Sequence, residues 1–484
     1  MYLEQFFVEG LGHASYLIAS ESAHEAAVID PRRDVQVYRD AAARIGATLR
    51  YAVETHDHND FVSGARILAE ADGVEVIASA AAGLQYPHRG VRAGDELVLG
   101  ELSIRVLETP GHTPEHVSYV VTDHSRAELP IVAFTGGDLL VGSVGRPDLL
   151  GAELGRRLAP QLYDSLHGQL LRLEDYVEVL PTHGAGSLCG RGISGKRKST
   201  IGYERRSNPA LLQPTKDEFV RFVLSGDPTI PAYYARMRAL NQAGTADWKL
   251  PAATPLTPDA VRQLLDTAAG TPCPVVLDVR PAAIFGAGHI PVAVNVGVDP
   301  LLPTWVGSLL PHDTPLVLVL DDPRQWGEVV TSLARIGHEG VLGHLEGGIA
   351  AWRGAGLPLA RVVQTSVDEL AGRIRRGPVA VLDVRTDAEW GDGHIAGARH
   401  IALNDLPGRI AEVPVDTTVS VICGSGYRSS IATSLLLRAG REAIVNVVGG
   451  MYAWFAAGHP TMTTEAETSN ETGISREIEK EIPA

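Results

Sequence analysis

The amino-acid sequence predicts a multidomain α/β protein: a layered αββα half, then two small α/β domains with parallel sheets. Three observations carry this. The chain has 484 residues, too many for a single core. Its second half contains one order of parts twice. Its first half is a run of short apolar strands that end in polar or chelating residues, with Ala-rich helical stretches between them.

The repeat is direct. "LDVRPAAIFGAGHI" (Leu277–Ile290) matches "LDVRTDAEWGDGHI" (Leu382–Ile395), and "LEGGIAAW" (Leu345–Trp352) matches "VVGGMYAW" (Val447–Trp454). Each copy reads apolar strand, polar turn, strand, helix, the pattern of a small parallel-sheet domain. Pro- and Thr-rich "LPAATPLTPDA" (Leu250–Ala260) separates the first half from the first copy. The expected domains are therefore 1–250, 255–360 and 362–462, followed by an acidic, disordered tail at 463–484 that lacks apolar periodicity.

In the N-terminal half, "AAVIDP", "LRYAVETH", "LSIRVLETPGH", "IVAFTGGD" and "YVEVLPTHG" place polar groups at strand ends. A layered αββα scaffold gathers such ends along one sheet edge. The candidate donors are His56, His58, Asp60, His112, Asp138 and His183, and a His/Asp cluster of this kind marks a metal site. A single histidine after a strand is ordinarily a hydrogen-bonded turn residue, and His13, His24, His88, His116, His124 and His167 are read that way.

Composition narrows the function. The chain is 45% hydrophobic and 21% charged, with no apolar run long enough to span a bilayer. A formal charge of −16 argues against a general nucleic-acid partner. Three cysteines make no disulfide framework and, with no signal-peptide pattern at the start, fit a reducing cytoplasm. Cys189 lies six residues after His183, where a relay or sensor of sulfur and a plain buried residue are both open readings. Cys273 is read as structural.

The stretches "THDHNDF" (Thr55–Phe61), "TPGHTPEHVSY" (Thr109–Tyr119), "FTGGDLLVGSVGRPDL" (Phe134–Leu149), "PTHGAGSLCG" (Pro181–Gly190) and "STIGYERRSNPAL" (Ser199–Leu211) together resemble the metallo-β-lactamase superfold, and within it the persulfide dioxygenases. In two-metal hydrolases of that superfold a histidine stands where this chain has Phe61, so the resemblance implies one metal rather than two. It implies one Fe(II) held by His56, His112 and Asp138, two histidines and a carboxylate that leave room for substrate and O2. His58, Asp60 and His183 would then orient those ligands or a bound water. The implied substrate is a small-molecule thiol persulfide, with glutathione and coenzyme A among the possible carriers, and the implied product is sulfite. Arg191, Lys196, Arg197 and Lys198, in an otherwise acidic protein, are candidates for steering an anionic carrier.

The second repeat contains "VSVICGSGYRSS", a strand running into Cys423 and a loop closed by Arg428 at a helix start. The loop Gly424, Ser425, Gly426, Tyr427 turns its amides inward, and such a nest with an added Arg stabilises a thiolate or a persulfide on it. This resembles the rhodanese active-site loop, with Cys423 and Arg428 as catalytic residues. The first repeat aligns "LVLVLDDPRQWGE" there, with Asp321 opposite Cys423 and Trp326 opposite Arg428, so it is expected to be inactive. Asp278–Arg280 and Asp383–Arg385 occur in both copies and are read as structural ion pairs.

The combined expectation is a cytoplasmic persulfide dioxygenase fused to a rhodanese sulfurtransferase in sulfide detoxification. Its partners would be a persulfide, O2, and sulfite or thiosulfate, with homo-oligomerisation compatible. Two rivals stand beside it: a zinc-dependent, glyoxalase II-like thioester hydrolase with an attached sulfurtransferase, and a persulfide carrier or sensor.

Overall fold

A computed structural model describes residues 1–226, 230–266 and 273–463. From residue 464 the expected tail lies outside the described residues. The chain forms two compact units. One comprises Met1–Pro251 together with Asp299–Ser308 and Val330–Glu339. The other comprises Ala252–Val298, Leu309–Val329 and the chain from Gly340 on.

The first unit is built on two six-stranded sheets. One runs in chain order through Tyr2–Val8, His13–Ser20, Glu25–Ile29, Thr48–Val53, Glu75–Ser79 and Arg89–Val91. Its first strands pair antiparallel and the later ones parallel. The other sheet orders Ser199–Thr200, Glu178–Pro181, Pro130–Gly136, Val117–Asp123, Leu102–Glu108 and Glu96–Leu99.

Strand alternation decides what each face meets. From His13–Ser20, Tyr16 and Ile18 enter the core between the sheets with Ile29, Val53, Ile104, Tyr119 and Phe134. Leu17 and Ala19 face the other way, into a layer with Tyr38, Ala41, Ile67 and Leu68 from helices Gln36–Arg44 and Ala65–Asp72. Helix Ala152–Gly168 covers the second sheet through Leu158-side residues Ala159, Leu162 and Leu166. The layers are therefore helix, sheet, sheet, helix, the αββα architecture.

The second unit carries two five-stranded sheets with the same strand order. The first is Pro255–Leu256, Val341–Leu345, Leu316–Val319, Val275–Asp278, Val294–Asn295; the second is Val363–Thr365, Ile444–Val447, Val419–Ile422, Ala380–Asp383, Arg399–His400. Every pairing is parallel.

In each copy a buried aspartate at a strand end holds an arginine two residues on. Arg385 donates to Asp383 and to the carbonyl of Gly393, and Arg280 donates to Asp278 and the carbonyl of Gly288. The pair ties a central strand to the turn beyond it in both domains. Arg385→Ala leaves Asp383 buried and unpaired, and denaturant unfolding is expected to show a loss of about 3–5 kcal/mol in that domain.

Candidate metal centre and thiol loop

The polar loops of the first unit converge as the strand pattern requires. His56, His58 and Asp60 follow strand Thr48–Val53, His112 follows Leu102–Glu108, Asp138 follows Pro130–Gly136, and His183 follows Glu178–Pro181. All six are at most 4% exposed.

Hydrogen bonds fix which atoms remain to bind a ligand. Asp30 accepts from the amide and hydroxyl of Thr55, and that committed hydroxyl accepts from His56 Nδ1 at 2.8 Å. The lone pair of His56 is thereby left on Nε2, which lies 3.3 Å from His183 Nε2. His112 Nδ1 donates to the carbonyl of Arg146 at 2.9 Å, and its Nε2 is buried without a partner. Burial and the neighbouring His183 push the imidazolium pKa of His112 down to about 3, so the ring is neutral. Asp138 Oδ1 accepts the amide of His112 at 2.9 Å while Oδ2 is buried and unpartnered, and burial pushes its carboxyl well up.

The other three residues also keep bare buried atoms: His58 Nδ1, both oxygens of Asp60 and His183 Nδ1 have no hydrogen-bond partner. His58 Nε2 contacts Glu54 at 2.9 Å and Asp30 at 3.3 Å; although burial opposes it, these carboxylates hold the imidazolium pKa up at about 10. Asp60 lies 3.2 Å from His183 Nδ1. Donor atoms of His56, His58 and His183 fall within 4.8 Å of one another, as do those of His112, His183 and Cys189. His183 is thus central to both groupings, and Cys189 is brought to the cluster. Asp138 belongs to neither.

Phe61 is fully buried, stacked on His13 at 3.6 Å between centroids and 4.3 Å from the His58 ring. It packs with Leu11, Val62, Cys189, Tyr233, Tyr234 and Met237. Hydrocarbon therefore fills the place beside His58. His116, read as an ordinary histidine, does sit against His56, but its Nε2 accepts from Gly137 and its Nδ1 meets Thr109, so both nitrogens are occupied. Sequence reasoning passed over Asp30 and Glu54. Asp30 stands at a strand end in "AAVIDP", the same signal that marked the other donors.

In the second unit Cys423 ends strand Val419–Ile422 and is fully buried. The amide of Gly426, the residue before helix Tyr427–Arg438, donates to Cys423 Sγ at 3.1 Å. Ser425 is exposed, and Tyr427 turns away to donate to the carbonyl of Gly297 at 3.0 Å. Gly450 has φ +57, and a Cβ there would lie 2.4 Å from the carbonyl oxygen of Cys423. Gly450→Ala is therefore expected to displace the loop, seen as faster alkylation of the buried Cys423 thiol and a lowered melting temperature.

The first copy requires a correction of one residue. Sheet register equates Asp278 with Asp383 and Val319 with Ile422, which puts Leu320, not Asp321, at the place of Cys423. The one-residue shift lies further on, in strand Val341–Leu345, where Leu316 pairs with Val341 but Val317 with Gly343. Neither residue has a thiol, and Gln325 Oε1 accepts from the amides of Asp321 and Asp322 in a capping turn. Trp326 is buried. Cys273 is a free, exposed thiol.

The comparisons now bear on this geometry. The rhodanese-like domain family matches residues 257–355 and 366–457. The human mitochondrial persulfide dioxygenase ETHE1 is 31% identical over 245 residues, 48% of this chain and 86% of that protein. The chain belongs to the persulfide dioxygenase family. A solved metallo-β-lactamase from Staphylococcus aureus matches with a TM-score of 0.64 at 30% identity, covering 71% of this chain and 98% of its own. A hydroxyacylglutathione hydrolase from Rhodospirillum rubrum is 33% identical over 240 residues, 48% of this chain and 84% of that protein.

As a persulfide dioxygenase family member with rhodanese-like domains, the chain is an enzyme with a sulfurtransferase-type domain in its second half. The basic segment is largely engaged at the surface: Arg191 donates to Ser225, Arg197 pairs with Glu9, Lys198 pairs with Glu178, and Lys196 lies over the Tyr203 ring. No helix among the described residues is long and apolar enough to cross a membrane.

Proposed function

We propose that the first unit oxidises a small-molecule thiol persulfide with O2 to sulfite at a single Fe(II), and that Cys423 transfers sulfane sulfur between that chemistry and thiosulfate. The observation that carries the reading is the set of bare donors. His112 Nε2 and Asp138 Oδ2 are buried without partners, and hydrogen bonding leaves the lone pair of His56 on Nε2. Two neutral imidazoles and a carboxylate suit Fe(II) with open positions, and they fit an ion that completes their bonding. Bound there, iron would supply the redox chemistry that carries electrons from the outer persulfide sulfur to O2.

The protein's own groups do the rest. The Asp30–Thr55 relay keeps His56 in one tautomer, and the Arg146 carbonyl does the same for His112. Asp60 lies 3.2 Å from His183 Nδ1, and Phe61 packs with Tyr233 and Tyr234 in an apolar cluster. Overall, persulfide, O2 and one water give thiol, sulfite and two protons. At Cys423, the thiolate takes the outer sulfur from a donor, then yields it to sulfite or a thiol, and the buried Gly426 amide steadies the charge.

The test is anaerobic loading with Fe(II), addition of glutathione persulfide and air, and measurement of O2 uptake with sulfite. Uptake matched by sulfite supports the reading, and its absence sinks it. The retained His58 and Asp60, with the hydroxyacylglutathione hydrolase relative, favour a second reading as a zinc thioester hydrolase. Thioester cleavage by the zinc-loaded protein would establish that one instead. Phe61→His separates the two further. It restores a donor beside His58 and Asp60, and metal analysis is expected to rise from one ion per chain toward two.

A further inference from the structure

Glu389 and Arg428 meet edge to edge, Nη1 to Oε2 at 2.7 Å and Nη2 to Oε1 at 2.6 Å. The carboxylate is also held from behind. Its Oε2 accepts from the amide of Thr386 at 3.1 Å and its hydroxyl at 2.9 Å, and Thr386 caps the short helix Asp387–Gly391. Although burial alone would raise it, Arg428 and Thr386 hold the Glu389 carboxyl down to about 2.

The first copy is an internal control. With Asp278 equivalent to Asp383, Glu389 corresponds to Ile284, which is 41% exposed, and Thr386 to Pro281, which gives no side-chain cap. The same register carried through the loop puts Gln325 opposite Arg428. The copy without the thiol thus lacks the glutamate, its anchor and the arginine together. It keeps the buried Asp–Arg pair and the aromatic–histidine stack, Phe285 on His289 at 3.8 Å beside Trp390 on His394 at 3.6 Å. Features common to both copies belong to the fold, whereas the Glu–Arg pair goes with the thiol.

We propose that Glu389 is a positioning and specificity residue of the Cys423 loop, fixing the Arg428 guanidinium at the loop's rim and offsetting its charge so that dianions bind loosely. An anion seated against the loop amides and Arg428 also meets the field of the Glu389 carboxylate. Thiosulfate and sulfite then exchange freely, and inert sulfate does not block the loop. The inference rests on the sulfurtransferase reading of Cys423.

The test uses the full chain, with sulfur transfer from thiosulfate to cyanide. Glu389→Gln is expected to lower the thiosulfate KM and the sulfate inhibition constant by roughly fivefold each, with kcat unchanged or reduced. In an Arg428→Gln background, where only the direct field of the carboxylate is left, the same substitution is expected to change both by much less. Constants that do not move, or that move equally in both backgrounds, overturn the inference. A Glu389→Gln chain that fails to fold also overturns it, because the first copy folds with Ile284 at that place. If the wild type transfers no sulfur, the sulfurtransferase reading fails by itself. Protection of Cys423 from iodoacetamide by sulfate, compared between wild type and Glu389→Gln, then still decides the role of Glu389.

Discussion

Alanine at position 112 is expected to abolish O2 uptake, by at least roughly 100-fold, and to lower iron content well below one per chain. His112 is the strongest single commitment of the site. Its Nδ1 is used by the Arg146 carbonyl, so the only role left for its buried Nε2 is to bind something within the cluster. The buried ring packs against Gly137 and Gly145 and donates to the Arg146 carbonyl, so the melting temperature is expected to fall while circular dichroism keeps the folded spectrum. The measurement pairs O2 electrode traces with metal analysis on the same sample. Full iron with no uptake would assign His112 to substrate handling rather than to the metal, and undiminished uptake would remove it from the site. Sulfur transfer at Cys423 should be untouched, because it depends on a different loop.

The converse experiment is Cys423→Ser. Sulfur transfer from thiosulfate is expected to fall below about a thousandth of wild type, while O2 uptake with added persulfide persists. A serine keeps the size and the hydrogen bond from the Gly426 amide, so the loop should keep its shape. Its oxygen does not accept sulfane sulfur as a thiolate does. Mass spectrometry after thiosulfate treatment should show one added sulfur on wild type and none on Cys423→Ser. An added sulfur retained by the variant would point to Cys189 or Cys273 as the acceptor.

Much of this was legible in the sequence for a plain reason. Strands in a layered αββα fold end at one edge, so His56, His112, Asp138 and His183 could be grouped from their places after apolar runs. The tandem repeat was legible because both copies keep the same buried parts. What stayed hidden depends on distances between segments far apart in the chain. The relay from Asp30 to His56 joins two strands, and Glu389 reaches Arg428 across 39 positions. The offset that moved Leu320 into the place of Cys423 arose because strand Val341–Leu345 carries one residue more at a register shift, which leaves no trace in composition, and only parallel register reveals it. Nor did the sequence show that Asp299–Ser308 and Val330–Glu339 would fold with the first unit, where Arg335 pairs with Asp34 and Arg33 with Glu339.

The complete burial of Cys423 has a chemical consequence of its own. A disulfide-length bond carries the second sulfur about 2 Å beyond the first. The buried thiol is therefore withheld from bulky electrophiles, and under the proposed sulfur transfer a persulfide would place the reactive atom that bond length away from Sγ. Discharge draws the reactivity back inside. Under the proposed transfer, such a thiol would be sheltered at rest and open to reaction only while it carries sulfur.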